Sequence, residues 1–281
     1  MIDIKLLEQL CLCNGISGDE GNVRNLIINE IKDCADDIKT DNLGNLIVFK
    51  KGKKSAKSKL MVSAHMDEVG LMVTDITSDG YLKFDEVGGI DRRVLPGKRV
   101  CVGRNGLNGV IGVKPIHLTN GDEKTAVPKM NDMYIDIGAE SREDALKYVN
   151  YGDGINFEGD FKINGKTVVT KALDDRFGCY VLINLIKSEP EYDMYFTFVV
   201  QEEVGLRGAR SAAFTVNPDF ALVIESTTAA DVAEVDVSHQ VCNLSKGATV
   251  TVMDRATVYD KEMISAAFEL AEKNNIAVQY K

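Results

Sequence analysis

Apolar residues recur at two spacings along the chain, and each spacing predicts a different element. They return every three or four positions at Val23, Leu26, Ile27 and Ile31. This spacing is typical of an amphipathic helix, which Ser17 or Asp19 can cap. Short apolar runs predict buried strands at residues 60–64 and 221–224, and further strands are predicted at residues 46–49, 194–200 and 276–280. Further helices are predicted at residues 3–13, 141–149, 176–187 and 260–273, and from near Gly208.

The pattern changes between residues 68 and 164, which are rich in glycine and valine in short alternating runs. Turn dipeptides such as Asp79-Gly80 and Asn105-Gly106 separate these runs. This part of the chain therefore predicts a small β domain. It is inserted into an α/β domain, in which a mixed sheet is flanked by helices, formed by residues 1–67 and 165–281.

Charge and hydropathy narrow the classes of function. The net charge of −10 repels phosphate backbones, so nucleic-acid binding is not expected. No apolar run reaches the roughly 18 to 20 residues that span a bilayer, and charges interrupt the first ten residues, unlike a signal peptide. Six scattered cysteines without a CxxC pair indicate reduced thiols. The sequence therefore predicts a cytoplasmic protein that binds neither nucleic acid nor membrane.

Acidic residues and one histidine stand at four junctions where a predicted strand ends. They are His65 with Asp67, Asp174 with Asp175, Glu202 with Glu203, and Glu225. Each junction alone has an ordinary interpretation: a core histidine beside a surface acid, two helix-capping acids, or a solvated strand end. Strands of one α/β sheet, however, bring their carboxyl ends to a common edge. Four such junctions together predict a shared site.

Acids gathered at one edge favour a bound cation, because carboxylates that repel one another raise each other's pKa values. Oxygen ligands with one imidazole suit zinc, cobalt or manganese. A carboxylate shared by two cations would make a two-metal site, and an acid outside the ligand set could act as general base on metal-activated water. Asp67 lies two residues after His65, so it can face the same side and fix the imidazole tautomer.

Five segments of the sequence resemble one known family. They are SAHMDEVGLMV from Ser63, GVIGVKPIHL from Gly109, KALDDRFGCYVL from Lys171, VVQEEVGLRGA from Val199 and VIESTTAADV from Val223. Together they are similar to the glutamyl-aminopeptidase family of co-catalytic metallo-aminopeptidases, which includes tetrahedral, dodecameric aminopeptidases and proteins labelled endoglucanase M. The resemblance implies an α/β aminopeptidase domain with an inserted β-barrel-like domain that serves assembly into a homo-oligomer. It also implies peptide substrates and two divalent metal ions per subunit.

The resemblance also implies a role for each acid. The first metal would be bound by His65, Asp174 and Glu225, and Asp67 would support His65. The second metal would be bound by Asp174 and Glu203. Glu202 would be the general base in the hydrolysis of N-terminal residues from peptides, and Asp175 would shape the turn after Asp174.

One departure from the family pattern leaves alternatives open. Relatives continue beyond the final strand with a Gly-Gly-Thr-Asp-like motif and a histidine that binds the second metal, whereas the present sequence ends at Lys281. The second metal site is therefore expected to be incomplete, and an inactive or fragmentary assembly subunit is the alternative. An endoglucanase-type glycosidase is a weaker one, since it needs two carboxyl groups, generally without a metal, and the chain has no tryptophan for sugar stacking.

Overall fold

The computed structural model describes residues 3–121 and 125–281, and the chain divides into two compact units, Met1–Ser226 and Thr227–Lys281. The helices are α1 (Ile4–Leu12), α2 (Gly21–Ile31), α3 (Arg142–Ala145), α4 (Leu173–Lys187), α5 (Arg207–Val216) and α6 (Lys261–Lys273). In this described part of the chain, none of them combines the length and the apolar character needed to cross a bilayer.

The strands fall into the central sheet, a barrel and two small pairs. They are β1 (Asp37–Thr40), β2 (Leu46–Lys50), β3 (Leu60–His65), β4 (Gly70–Ile76), β5 (Leu82–Val87), β6 (Arg99–Val102), β7 (Leu107–Val113), β8 (Met133–Asp136), β9 (Gly154–Phe157), β10 (Lys162–Asn164), β11 (Thr167–Val169), β12 (Met194–Val199), β13 (Phe220–Val223), β14 (Ala248–Val250) and β15 (Val278–Tyr280).

The central sheet of the first unit has the strand order β1-β2-β12-β3-β13. β12 and β13 run parallel to β3, whereas β2 runs antiparallel to β12. The register places Val199 of β12 beside His65, and Val223 of β13 beside Ser63. The carboxyl ends of these three strands therefore lie at one edge of the sheet, and the predicted mixed sheet is confirmed.

Helices cover both faces of this sheet because alternate strand residues point to opposite sides. Leu46 and Val48 of β2 pack into the core that contains α1, α2 and α4. Ile47, between them, packs instead in a small cluster with Val216 of α5. α4 is held by the buried residues Cys179, Leu182, Ile183 and Ile186, whose spacing is that of one helix face. The sequence pattern thus accounts for the layers that carry the site.

β13 is an edge strand rather than the buried strand predicted for residues 221–224. All four of its residues, Phe220–Val223, are exposed, and its described ladder partner is β3 alone. An apolar run does not distinguish an edge strand from a central one, because pairing is decided by the rest of the sheet.

α3 is also shorter than the helix predicted for residues 141–149. Ser141 caps it by accepting a hydrogen bond from the Asp144 N–H. After Ala145 the backbone turns to tighter i→i+3 bonds, such as that from the Tyr148 N–H to the Ala145 carbonyl, and Tyr148 is exposed. The helix therefore ends after one turn.

Six strands form a closed barrel with the order β4-β5-β8-β7-β6-β9. Its interior is apolar and includes Leu71, Val73, Leu82, Val100, Ile111, Ile135 and Ile155. The predicted barrel-like insertion is thereby confirmed as part of the fold. The boundaries at residues 68 and 164, and a role of the barrel in assembly, stay predictions.

The second unit, Thr227–Lys281, contains α6 and the parallel pair β14 and β15. Asp260 caps α6 by accepting a hydrogen bond from the Met263 N–H at 2.9 Å. The Phe268 ring of α6 stacks on Tyr280 of β15, with centroids 4.1 Å apart.

Candidate active site

His65 is the last residue of β3 and is only 2% exposed. Its Nδ1 lies 3.1 Å from the carbonyl oxygen of Asp67 and 3.4 Å from Asp67 Oδ1. Its Nε2 lies 3.1 Å from Asp174 Oδ1 and 3.3 Å from Glu225 Oε1. The two ring nitrogens therefore face different partners, and residues more than 100 positions apart meet at Nε2.

The carboxylates around His65 create a strong preference for positive charge. Burial lowers the pKa of this imidazole, but hydrogen bonds to the three neighbouring carboxylates outweigh burial and hold the pKa far above its ordinary range. An Nε2 position that favours a proton so strongly is also one where a divalent cation can replace the proton.

Asp174 and Asp175 stand where α4 begins, and their backbones are non-helical. The peptide bond between them is cis. Asp175 is fully buried; its Oδ2 accepts a hydrogen bond from the His65 N–H at 3.3 Å, and its Oδ1 accepts one from the Gly178 N–H at 3.1 Å. Burial raises the pKa of Asp175 to about 8. Asp175 therefore joins α4 to β3, while the exposed Asp174 carries its carboxylate to the imidazole.

Asp67 is fully buried and connects the strand end to the loop after β12. Its Oδ1 accepts a hydrogen bond from the Glu202 N–H at 3.0 Å, and its Oδ2 accepts one from the Glu203 N–H at 3.1 Å. Ser17 Oγ donates to the same Oδ2 at 2.5 Å. Burial raises the pKa of Asp67, but its hydrogen bonds outweigh burial and hold the pKa below its ordinary value. Asp67 therefore stays ionised and fixes the backbone of both glutamates.

Three glutamates at the site have pKa values raised above their ordinary value. Burial is the main cause for Glu202, Glu203 and Glu225, and repulsion from neighbouring carboxylates adds to it. The pKa of Glu203 rises to about 7. A cation placed among these side chains would relieve both the burial and the repulsion.

Two groups of side chains around His65 have the spacing of metal ligands. One group is His65, Asp174 and Glu225, and the other is His65, Glu202 and Glu203; within each group the ligand atoms lie within 4.8 Å of one another. One imidazole nitrogen with carboxylate oxygens fits zinc, cobalt or manganese. The residues therefore fit a divalent cation, and six predicted site residues plus Asp175 meet in one place.

Two residues of the loop before α2 reach the site without having been predicted there. Ser17 was interpreted as a helix cap, but its hydroxyl donates to Asp67 instead. Glu20 is only 4% exposed, and its Oε1 accepts hydrogen bonds from the Gly18 N–H at 2.7 Å and the Gln201 N–H at 3.1 Å. The sequence near each residue does not indicate these contacts, because Ser17 and Asp67 lie 50 residues apart and Glu20 and Gln201 lie 181 residues apart.

The burial of Arg176 is also not predicted by the sequence, because an arginine one turn into a helix is usually solvated. Here it is fully buried. Its guanidinium donates to the carbonyl oxygens of Leu10, Cys13 and Met66 at 2.6, 2.7 and 2.7 Å. It also lies 3.4 Å from Glu68, which pairs with Lys171 at 2.8 Å. This arginine connects α4 to α1 and to the segment between His65 and Glu68.

The sequence model of the M42 glutamyl aminopeptidases matches residues 44–281, which is most of the chain. The chain belongs to the M42 glutamyl aminopeptidase family. Membership places this M42 chain among the aminopeptidases, which are hydrolases that act on peptides. The resemblance inferred from the sequence motifs is confirmed, whereas the role of each site residue stays a prediction.

Three similar proteins illustrate the relationship. A protein of Acetivibrio thermocellus, assigned by its name only provisionally to the aminopeptidases, is 44% identical over 276 residues, which cover 98% of this M42 chain and 80% of that protein. The TET aminopeptidase structure from Thaumarchaeota archaeon SCGC AB-539-E09 has a TM-score of 0.93 at 33% identity, covering 99% of this chain and 80% of that one. The Pyrococcus horikoshii TET1 peptidase structure has a TM-score of 0.86 at 41% identity, covering 99% and 83%.

Proposed function

We propose that this M42 chain removes N-terminal residues from peptides with divalent cations held by the His65 cluster and with Glu202 as general base. The observation that carries the proposal is the position of His65 Nε2, which lies 3.1 Å from Asp174 and 3.3 Å from Glu225. An imidazole and two acids from three different elements meet there, on a chain whose family consists of aminopeptidases.

The sequence resemblance gives the ligand assignment, and the close approach of His65, Asp174 and Glu225 supports it for the first cation. His65, Asp174 and Glu225 would hold one cation, and Glu203 would hold a second with Asp174 shared between them. Cations bound there would polarise the scissile carbonyl and make the attacking water more acidic. The hydrogen bond from His65 Nδ1 to the Asp67 carbonyl leaves the Nε2 lone pair free to act as a ligand.

The sequence resemblance gives the proton transfer to Glu202 rather than to its neighbour Glu203. The Glu202 backbone N–H is held by Asp67, and burial raises the pKa of the Glu202 side chain above the ordinary value. A carboxylate with a higher pKa is a stronger base, so Glu202 can take a proton from the attacking water and deliver it to the leaving amine. Assigning the base to Glu202 leaves the neighbouring Glu203 for cation binding.

We also propose that the chain assembles into a homo-oligomer. The similar TET1 peptidase of Pyrococcus horikoshii is described as assembling into a tetrahedron or a large octahedral shell. The closed barrel β4–β9 is the element that the sequence resemblance links to assembly.

Substitution of the general base tests the proposed reaction. Glu202→Gln keeps the size and polarity of the side chain but removes its basicity, so kcat for a peptide substrate should fall by about 10²- to 10⁴-fold in zinc, cobalt or manganese. Glu189→Gln, in the exposed turn before β12, makes the same chemical change away from the site and should retain the parent kcat. Normal turnover by Glu202→Gln would show that the base is another group.

A further inference from the structure

Three successive backbone N–H groups of the segment after β12 are bound by buried carboxylates from distant parts of the chain. The Gln201 N–H donates to Glu20 Oε1 at 3.1 Å. The Glu202 and Glu203 N–H groups donate to the two oxygens of Asp67 at 3.0 and 3.1 Å. Glu20 and Asp67 therefore determine the backbone path of the two glutamates whose side chains face His65.

Gln201 adopts a backbone conformation that needs such support. Its φ is +54°, in the left-handed region that a residue with a Cβ rarely adopts. Its backbone is held at both ends, because the Arg207 N–H donates to its carbonyl oxygen at 3.1 Å while its own N–H donates to Glu20. A residue in this region persists only when its surroundings determine it, and Glu20 supplies one of those determinants.

Burial of the Glu20 carboxylate has no explanation in the packing of α2, which begins just after it. Glu20 precedes Gly21, but its side chain makes no capping bond to that helix. Oε1 instead accepts the Gly18 and Gln201 N–H groups. A buried carboxylate costs free energy unless it is hydrogen-bonded, and the bonds to these two N–H groups offset that cost.

We propose that Glu20 is a positioning residue for the peptidase reaction: its carboxylate holds Gln201 and thereby directs Glu202 and Glu203 toward cations held with His65. The proposal rests on the function proposed above. Glu20 itself belongs to neither group of potential cation ligands in the described part of the chain. Ser17 belongs to the same loop and holds Asp67, so residues 17–20 support both sides of the glutamate pair.

Two substitutions and one control test this role. Glu20→Ala removes the acceptor, whereas the amide oxygen of Glu20→Gln can still accept both N–H groups. Asp3→Ala removes another carboxylate that accepts a backbone N–H, that of Leu6 at 3.2 Å, at the start of α1. The measurements are kcat and KM in saturating zinc, cobalt or manganese, cation affinity by competition with a chelator, and Tm.

Glu20→Ala should lower kcat by about 10- to 100-fold with KM within about threefold of the parent, because displacing a catalytic group by about 1 Å has an effect of this size. It should also weaken cation affinity by about tenfold, as loss of a supporting group does. Glu20→Gln should recover both values to within about threefold. Asp3→Ala should lower Tm and leave kcat and cation affinity unchanged.

Parent values of kcat and cation affinity in Glu20→Ala would overturn the proposal, as would a Glu20→Gln variant as impaired as Glu20→Ala. If Glu20→Ala does not fold, Glu20→Asp replaces it, since its shorter side chain cannot reach both N–H groups, and parent-like behaviour would again overturn the proposal. A parent chain without cation-dependent peptidase activity would instead contradict the proposed function. Chelator competition would still compare the Glu20 variants in that case.

Discussion

At the residue scale, the charges of His65 and Asp67 depend on the groups that each of them contacts. The two nitrogens of His65 face opposite directions, with the Asp67 carbonyl on one side and the carboxylates of Asp174 and Glu225 on the other. Burial raises the pKa of Asp67, but its contacts with His65, Ser17 and the Glu202 N–H outweigh burial and keep it ionised. Charge, tautomer and orientation are thus determined together.

Asp67→Asn tests this arrangement at a single atom pair. An amide has one acceptor oxygen, so either the Glu202 or the Glu203 N–H must lose its partner. Cation affinity should fall by about 10- to 100-fold, as is usual when a group that orients a ligand is lost. Chelator competition measures the affinity, and Asp254→Asn in the exposed loop after β14 is the control. Equal affinities in the two variants would contradict the role given to Asp67.

The sequence predicts the acids and the histidine because they follow apolar runs directly. His65 ends one such run, and Glu202, Glu203 and Glu225 follow two others. Ser17, Glu20 and Arg176 could not be predicted, because their partners lie 50, 181 and more than 100 residues away. Long-range hydrogen bonds of this kind have no local pattern.

At the element scale, the site depends on how loops tie the strands and helices together. Asn45, immediately before β2, accepts a hydrogen bond from the Val200 N–H at 2.9 Å and donates to the Gly208 carbonyl at 3.0 Å. Asp41 holds Asn45 through a 2.7 Å hydrogen bond and also accepts one from Ser211 Oγ at 2.8 Å. This loop therefore links β2 to the end of β12 and to α5.

Asp41→Ala should destabilise the first unit by about 1 to 3 kcal/mol at pH 7, because several hydrogen bonds lose a shared acceptor. Burial raises the pKa of Asp41, but hydrogen bonds from Asn45, Ser211 and the loop backbone outweigh burial and lower the pKa overall. The contribution is present above the unfolded pKa, roughly 3.9, and is lost as pH falls through the folded pKa.

Urea unfolding of parent and Asp41→Ala, from pH 7 down to the lowest pH at which both fold, measures this effect. The difference in free energy of unfolding should shrink on the acid side. A difference that stays constant or grows toward low pH would contradict the assignment of the stabilisation to the ionised carboxylate.

The sequence predicts a helix or strand well where the spacing of apolar residues within that element is enough. It predicts less well the position of a strand in the sheet, because pairing with distant strands decides that position. β3 and α4 have the spacing expected of a buried strand and a one-faced helix. β13 has the same apolar composition as a buried strand but lies at the edge of the sheet. The strand order that separates these cases follows from long-range pairing.

At the scale of the whole molecule, the closed barrel is inserted in the chain between β3 and β12 of the central sheet, within the unit Met1–Ser226. The resemblance links the barrel to assembly, and a similar TET1 peptidase is described as forming closed shells. Closed assemblies of identical chains use repeated, matching surfaces. The mass of the particle in solution therefore tests the proposed homo-oligomer directly.

Light scattering coupled to size exclusion should give a mass several times that of one chain, unchanged on moderate dilution. The mass of a single chain at every concentration tested would contradict assembly. It would leave the His65 cluster unaffected, because all of its members come from one chain.

The central claim is that the carboxylates and His65 meet in order to bind divalent cations. Anomalous scattering from crystals grown with zinc, cobalt or manganese tests it most directly. We predict a peak within about 2.0 to 2.3 Å of His65 Nε2, in contact with Asp174 and Glu225. Crystals saturated with these metals that give no peak at His65 would contradict the account.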